Sequence, residues 1–183
     1  RKNLIGMINL DTVIGGDNLY IHSAHSKPYQ CDYVKDANYS YQPDMREQLL
    51  DTAQALPLKS LYSKHPATTD YAAGETGSWS DHAPFACLGL PIAYIEATNF
   101  SIHGEDGYDG YSQTTKNEFW SCFNEQKLTA CNREKEKNWG KIWHTKFDQG
   151  SYLITNLEQQ IKTQFNANIK LLTHFILHKT TNE

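Results

Sequence analysis

The sequence predicts an α/β protein built on a mostly parallel sheet, and three observations carry that prediction. Leu4-Ile5-Gly6-Met7-Ile8-Asn9-Leu10-Asp11 is an almost wholly apolar run that ends in a carboxylate. Pro91-Ile92-Ala93-Tyr94-Ile95-Glu96 is a second such run, set directly behind a helix-and-turn signal. Strands that are apolar on both faces suit the middle of a helix-covered parallel sheet. The third observation is the closing segment, where Leu157, Ile161, Phe165, Ile169, Leu172 and Ile176 recur at three- and four-residue steps. That is the period of a helix with one apolar face.

The elements follow in order. Gly15-Gly16-Asp17 marks a turn after the first strand, and Leu19-Tyr20-Ile21-His22 a short second strand. Residues 24–43 are polar and Tyr-rich, the composition of a long loop. Asp44 and Glu47 have the spacing of a capping box. Met45, Leu49, Ala53 and Leu56 form the buried face of the helix that follows, and Pro57 stops it. Leu58-Lys59-Ser60-Leu61-Tyr62 is a candidate strand, and residues 63–79 show no sustained period. Ser80 is a good N-cap for a short helix to about Leu88, with Gly89 and Pro91 as the stop. Residues 98–141 are rich in aromatics and lack a period, and a loop of that length is usually functional. Thr155 and Glu158 form a capping box for the last helix.

Composition narrows the function classes. At 183 residues the chain is long enough for one domain with its own core. A net charge of -4 provides no electrostatic case for nucleic acid or acidic membranes. The one dense charge cluster, Arg133-Glu134-Lys135-Glu136-Lys137, alternates in sign and reads as a solvated surface segment. No apolar run approaches the roughly 18 residues of a membrane helix. The chain opens at Arg1, directly before a strong strand, as a mature or truncated product would. Cys122 and Cys131 flank a mostly polar segment and suit a local disulfide, whereas Cys87, in an apolar helical pattern, reads as a buried free thiol. The cysteine usage favours an oxidising compartment, periplasmic or secreted.

The chemistry centres on Asp11, His144 and the Ser80-Asp81-His82-Ala83-Pro84-Phe85 stretch. In parallel sheets ligands bind beyond the carboxyl ends of the strands, where Asp11 is expected. A lone Asp there equally serves as a turn or helix cap. Carboxylate oxygen and neutral imidazole nitrogen both bind Zn²⁺, at about 2.0–2.2 Å.

Leu10-Asp11-Thr12, the 80–85 stretch before Gly89-Leu90-Pro91-Ile92, and Ile142-Trp143-His144-Thr145 with Asp148 resemble, in order and spacing, the C-terminal part of the M28 family of zinc exopeptidases. Glu96-Ala97-Thr98-Asn99 followed by Asp106-Gly107-Tyr108 further resembles the subgroup holding the alkaline phosphatase isozyme conversion aminopeptidase. The resemblance implies a three-layer α/β sandwich with residues 1–183 as the C-terminal part of one peptidase domain. It implies two zinc ions about 3.5–4 Å apart, Asp11 on one and His144 on the other, hydrolysing N-terminal residues of peptides. It also implies a Glu general base and further ligands from His-x-Asp and Glu-Glu motifs upstream of Asp11. Only ten residues precede Asp11, none acidic or His, and Glu-Glu occurs nowhere. The general base and the missing N-terminal half are therefore expected before Arg1.

Ser80, Asp81, His82, Glu96 and Asp148 are expected to line the substrate pocket or support the ligands. Asp81 and His82 would shape the pocket through backbone and sheet edge. Glu96 or Asp148 could orient the His144 ring, against the alternative that each is a surface or turn carboxylate. The position three residues before Ser80, where some family members carry an oxyanion-assisting Tyr, is Gly77. Trp79, Tyr108, Tyr111, Trp139 and Trp143 are candidate walls of an apolar pocket or members of a loop core, and His103 is expected to be exposed. Two rivals stand beside the peptidase. Glutaminyl cyclase-like zinc acyltransferases share the Asp-His-x-Pro-Phe run, and a metal-free binding module would keep the fold without the chemistry.

Overall fold

The computed structural model describes residues 4–102 and 112–180 of the chain. It is a mixed α/β fold with a mixed sheet and, among the described residues, three α-helices. In chain order the elements are β1 (Met7–Leu10), β2 (Asn18–Ala24), α1 (Asp44–Ala55), β3 (Tyr62–Ser63), β4 (Glu75–Thr76), α2 (Ala83–Cys87), β5 (Ile92–Thr98), a 3-10 turn (Asn117–Phe119), β6 (Phe123–Asn124), β7 (Thr129–Ala130) and α3 (Gly150–Thr180). Two compact units can be distinguished. One takes the chain to Asp11, Tyr20–Ile95 and the residues from Ile169 onward; the other takes Thr12–Leu19 and Glu96–Asn168.

In the first unit the strands run in the order β1-β5-β2-β3, with β4 also on β2. β1 and β5 are parallel from Met7↔Ile92 to Leu10↔Ile95, and β2 and β4 are parallel at Ser23↔Glu75. Every β5 residue is buried, as its apolar run predicts. β1 departs from expectation. Among the described residues it ends the strand order, so its Leu10 is exposed and Ile8 only half-buried. Ala24, Ala86, Ile92 and Tyr94 form a core closed by Met7, Tyr29, Tyr39 and Phe85.

Cys87 is not a free thiol. It is bonded to Cys31, which ties the long loop after β2 to α2, and the Asn38 N–H donates to the Cys87 carbonyl at 2.7 Å. α1 begins at Asp44 as expected, but Pro43 is the cap residue and no side chain caps the helix. Glu47 instead accepts from Arg46 and from Lys64 Nζ. Arg46 is buried, and its Nη1 donates to Ser23 Oγ at 2.9 Å and Gly74 O at 2.6 Å. A buried guanidinium needs a charged partner, and charge-assisted bonds outweigh a neutral cap.

In the second unit the aromatic-rich loop has its own core. Ile102, Phe119, Trp120, Phe123, Ile142, Phe147, Leu153 and Leu157 cluster, with Trp139 and Tyr152 packed against them. The β6–β7 hairpin is antiparallel and is closed by the expected Cys122–Cys131 disulfide. The alternating charge run is mostly exposed, but Glu136 within it is buried. Its carboxylate accepts from the N–H groups of Ser121, Cys122, Lys137, Asn138 and Trp139. Burial works against ionisation, yet these backbone donors win and hold the carboxyl down at about 2.

α3 starts at Gly150 rather than at the Thr155 box, and Leu157 breaks its dihedrals at φ -131°, ψ 17°. Thr155 Oγ1 bonds the Ser151 carbonyl and Asn156 Nδ2 the Tyr152 carbonyl, back-bonds of the kind that bend helices. Its buried face is mostly apolar, with Leu153, Leu157, Ala167, Leu171 and Phe175, but it also carries Gln164 and Asn168. Gln164 Oε1 accepts from Gly15 N at 2.8 Å, and Gln164 Nε2 donates to Gly16 O at 2.6 Å. Gln160 Nε2 donates to Gly15 O and Gly16 O, and Asn168 Nδ2 to Val13 O. Of the predicted apolar face, Leu157 is buried, Ile161 and Leu172 are half-buried, and Phe165, Ile169 and Ile176 are exposed.

Two outcomes test this. Gln164→Leu is expected to cost about 1–3 kcal/mol by urea unfolding, since it removes the acceptor of the buried Gly15 N–H while Gly16 O keeps Gln160, whereas the exposed Phe165→Ala changes stability by less than about 1 kcal/mol. A hydrophobic docking face would give the opposite order. For Glu136, the folded carboxyl lies below its ordinary 4.5, so its contribution is complete above that pH and is lost as the pH falls through about 2. The drop corresponds to roughly 3 kcal/mol. Glu136→Gln should remove that acid-labile component, so that pH melts of mutant and parent converge near pH 2.

Candidate functional site

Asp11 follows the last β1 residue, and its N–H donates to Ile95 O at 3.1 Å, continuing the β1–β5 ladder. The two-residue period of a strand puts Asn9 and Asp11 on one face. Between them stands Ser80. Asn9 Nδ2 donates to Ser80 Oγ at 2.8 Å, and the Ser80 hydroxyl donates to Asp11 Oδ2 at 2.8 Å. Ser80 is thus not the N-cap of α2; His82 holds that position without a side-chain cap bond. The hydroxyl instead fixes the plane of the Asp11 carboxylate. The structure brings together two sequence-predicted residues, Asp11 and Ser80, from motifs 69 positions apart.

The next residue is strained. Thr12 has φ 51°, a left-handed conformation that is a genuine outlier for a β-branched side chain. Its carbonyl accepts from Ala97 N at 2.9 Å, and its Oγ1 is buried with no hydrogen-bond partner among the described residues. His144 is left-handed too, at φ 58°. Such strain concentrates at functional positions, where the surrounding structure enforces it.

His144 sits in a turn of the second unit. Ile142 is buried beneath it, Thr145 Oγ1 bonds Ile142 O, and the His144 ring is exposed edge-on to Trp143 at 4.0 Å. Asp148 does not orient that ring. Its Oδ2 accepts from the His144 backbone N–H at 3.2 Å, which makes it the cap of the turn. Glu96 is neither surface nor turn: it lies inside β5 and is buried, in the same unit.

His82 is wholly buried, its Nε2 donating to Gly77 O at 2.7 Å, with the Tyr94 ring at 5.1 Å. Burial pushes its pKa down, and the Gly77 carbonyl only partly offsets this. It is a neutral brace between the loop and the sheet. Asp81 beside it is exposed. Trp79 is exposed against Tyr71, and Trp139 belongs to the core of the second unit. His103, Asp106, Tyr108 and Tyr111 lie outside the described residues.

A carboxylate with its plane fixed and an exposed imidazole each suit zinc as single ligands. Asp11 falls in the first unit and His144 in the second. Among the described residues no group of three or more His, Cys, Asp or Glu could hold a metal ion. Sequence reasoning missed Asn9, although a polar residue two places before Asp11 in an apolar strand was the available signal. It also missed Thr12, whose conformation leaves no mark in composition.

No family model matches the chain. It is 27% identical over 114 residues to the alkaline phosphatase isozyme conversion protein of Escherichia coli (strain K12). The match covers 62% of this chain and 30% of that protein, a distant relation. The chain thus spans about a third of the length of the curated relative it matches. No solved structure matches it.

At an ordinary position Thr→Gly costs about 1 kcal/mol in backbone entropy. Thr12→Gly removes a Cβ penalty of about 1–2 kcal/mol and should leave the melting temperature unchanged or raised. A clear fall in melting temperature would show that Thr12 is not strained.

Proposed function

We propose that these 183 residues are the C-terminal part of the single catalytic domain of a zinc-dependent, M28-like aminopeptidase. The single observation that carries the reading is the Asn9–Ser80–Asp11 chain of hydrogen bonds, because it joins the strand-end carboxylate to the Ser-Asp-His stretch. The left-handed Thr12 and His144 support it, as does the distant relation to the isozyme conversion protein. In this reading the mixed α/β fold is part of the three-layer zinc-exopeptidase sandwich, and polypeptide before Arg1 supplies the other half.

Asp11 would be a ligand of one zinc ion and His144 of the other. Zinc, when bound, supplies a Lewis acid and a water of lowered pKa. The chain's own contribution is positional. Ser80, held by Asn9, keeps the Asp11 carboxylate in one orientation, and Asp148 holds the turn that presents His144. Asp81 and Glu96 are the polar groups assigned to the pocket, with His82 bracing the loop behind them. The general-base Glu and the remaining ligands come from the upstream His-x-Asp and Glu-Glu motifs. The substrate is a peptide with a free N-terminus, and residues at that terminus are released by hydrolysis. Two disulfides suit a periplasmic or secreted protein. No described helix is long and apolar enough to cross a membrane.

The gene product containing these residues is expected to hold about two zinc ions and to hydrolyse aminoacyl-p-nitroanilides. Ser80→Ala should lower zinc affinity or turnover about 10- to 100-fold, as loss of a ligand-orienting group does, and Asp11→Asn should lower it further. A full-length product without zinc or turnover would instead be a binding module, and pyroglutamyl product formation with one zinc would mark an acyltransferase.

A further inference from the structure

His174 and His178 near the end of α3 belong to no motif discussed above. They are four residues apart on one helix, so they stand on adjoining turns of the same face. Their ring centroids are 4.0 Å apart with the planes inclined at 57°. His174 is half-buried and His178 is exposed, and both lie in the first unit. Leu171 and Phe175 bury the adjoining face, so the helix under the pair is held in place.

We propose that His174 and His178 form a two-imidazole chelate for a borderline divalent transition-metal ion, of the Zn²⁺, Ni²⁺ or Cu²⁺ class. The helix sets the separation of the two rings in advance, so little ordering cost remains when an ion binds. Paired imidazoles at this spacing are a recurrent helical zinc-binding arrangement. The ligand type selects the metal: imidazole suits zinc, nickel and copper, whereas magnesium and calcium prefer carboxylate and carbonyl oxygen. Water completes the coordination, as two protein ligands leave positions open. Lys179 directly follows His178 and Lys170 lies one turn before His174, cationic neighbours in sequence that disfavour a purely electrostatic site. An ion held across the two turns clips the end of α3, where helices fray.

The test titrates the protein with Ni²⁺ alone, following heat of binding and backbone amide exchange. Wild type should bind one Ni²⁺ that His174→Gln and His178→Gln each weaken at least about tenfold. Amide exchange at residues 171–178 should slow with Ni²⁺ in wild type and not in either variant, and Mg²⁺ should do neither. Unchanged Ni²⁺ affinity and stoichiometry in both variants would overturn the proposal. So would protection by Ni²⁺ confined to other parts of the chain.

Discussion

Buried backbone must be hydrogen-bonded, and in this protein that requirement falls hardest on the turn at residues 13–16. The turn follows the candidate ligand Asp11, and Gly15 and Gly16 within it are buried. Gly16 lies so close to β5 that a Cβ there would stand 2.2 Å from the Ala97 carbonyl. Only glycine fits at that position. Gln160, Gln164 and Asn168 satisfy the turn's backbone groups from α3, taking the carbonyls of Val13, Gly15 and Gly16 and the N–H of Gly15.

That constraint accounts for the polar residues on the buried face of the longest helix. An amphipathic helix ordinarily buries its apolar stripe, and the sum of Phe165, Ile169 and Ile176 against water favours doing so. Leaving four backbone groups unpaired in the interior costs more, since each buried orphan forfeits about 1–3 kcal/mol. Gln164 and Asn168 therefore share the buried face with Leu153, Leu157, Ala167, Leu171 and Phe175. The same logic recurs at Glu136, where one carboxylate collects the N–H groups of a loop that forms no ladder. Polar side chains thus share with the apolar cluster of the second unit the task of holding its irregular parts together.

The candidate site draws on both devices. Its carboxylate is oriented by a hydroxyl and an amide, and the residue after it stands in the left-handed region, just before the turn that α3 holds. His144 is presented the same way, on a strained turn closed by Asp148. Each of the two ligand candidates is thus held by neighbouring polar side chains, Asp11 by Ser80 and the His144 backbone by Asp148.

Much of this was legible in the sequence. The apolar runs placed β1 and β5, the Gly-Pro stop ended α2, the cysteine spacing indicated one disulfide, and the motifs singled out Asp11 and Ser80, which the fold joins. These are local signals, set by residue type and period over a few positions. Tertiary structure alone decided the rest: that Cys87 pairs with Cys31, that Glu47 serves Arg46 and Lys64 instead of a cap, and that Ser80 holds Asp11. It alone put β1 at the end of the described strand order and turned the glutamines of α3 inward. In each case the deciding partner lies far away in the chain, and which buried polar group most needs a partner is a property of the folded interior that no local pattern records.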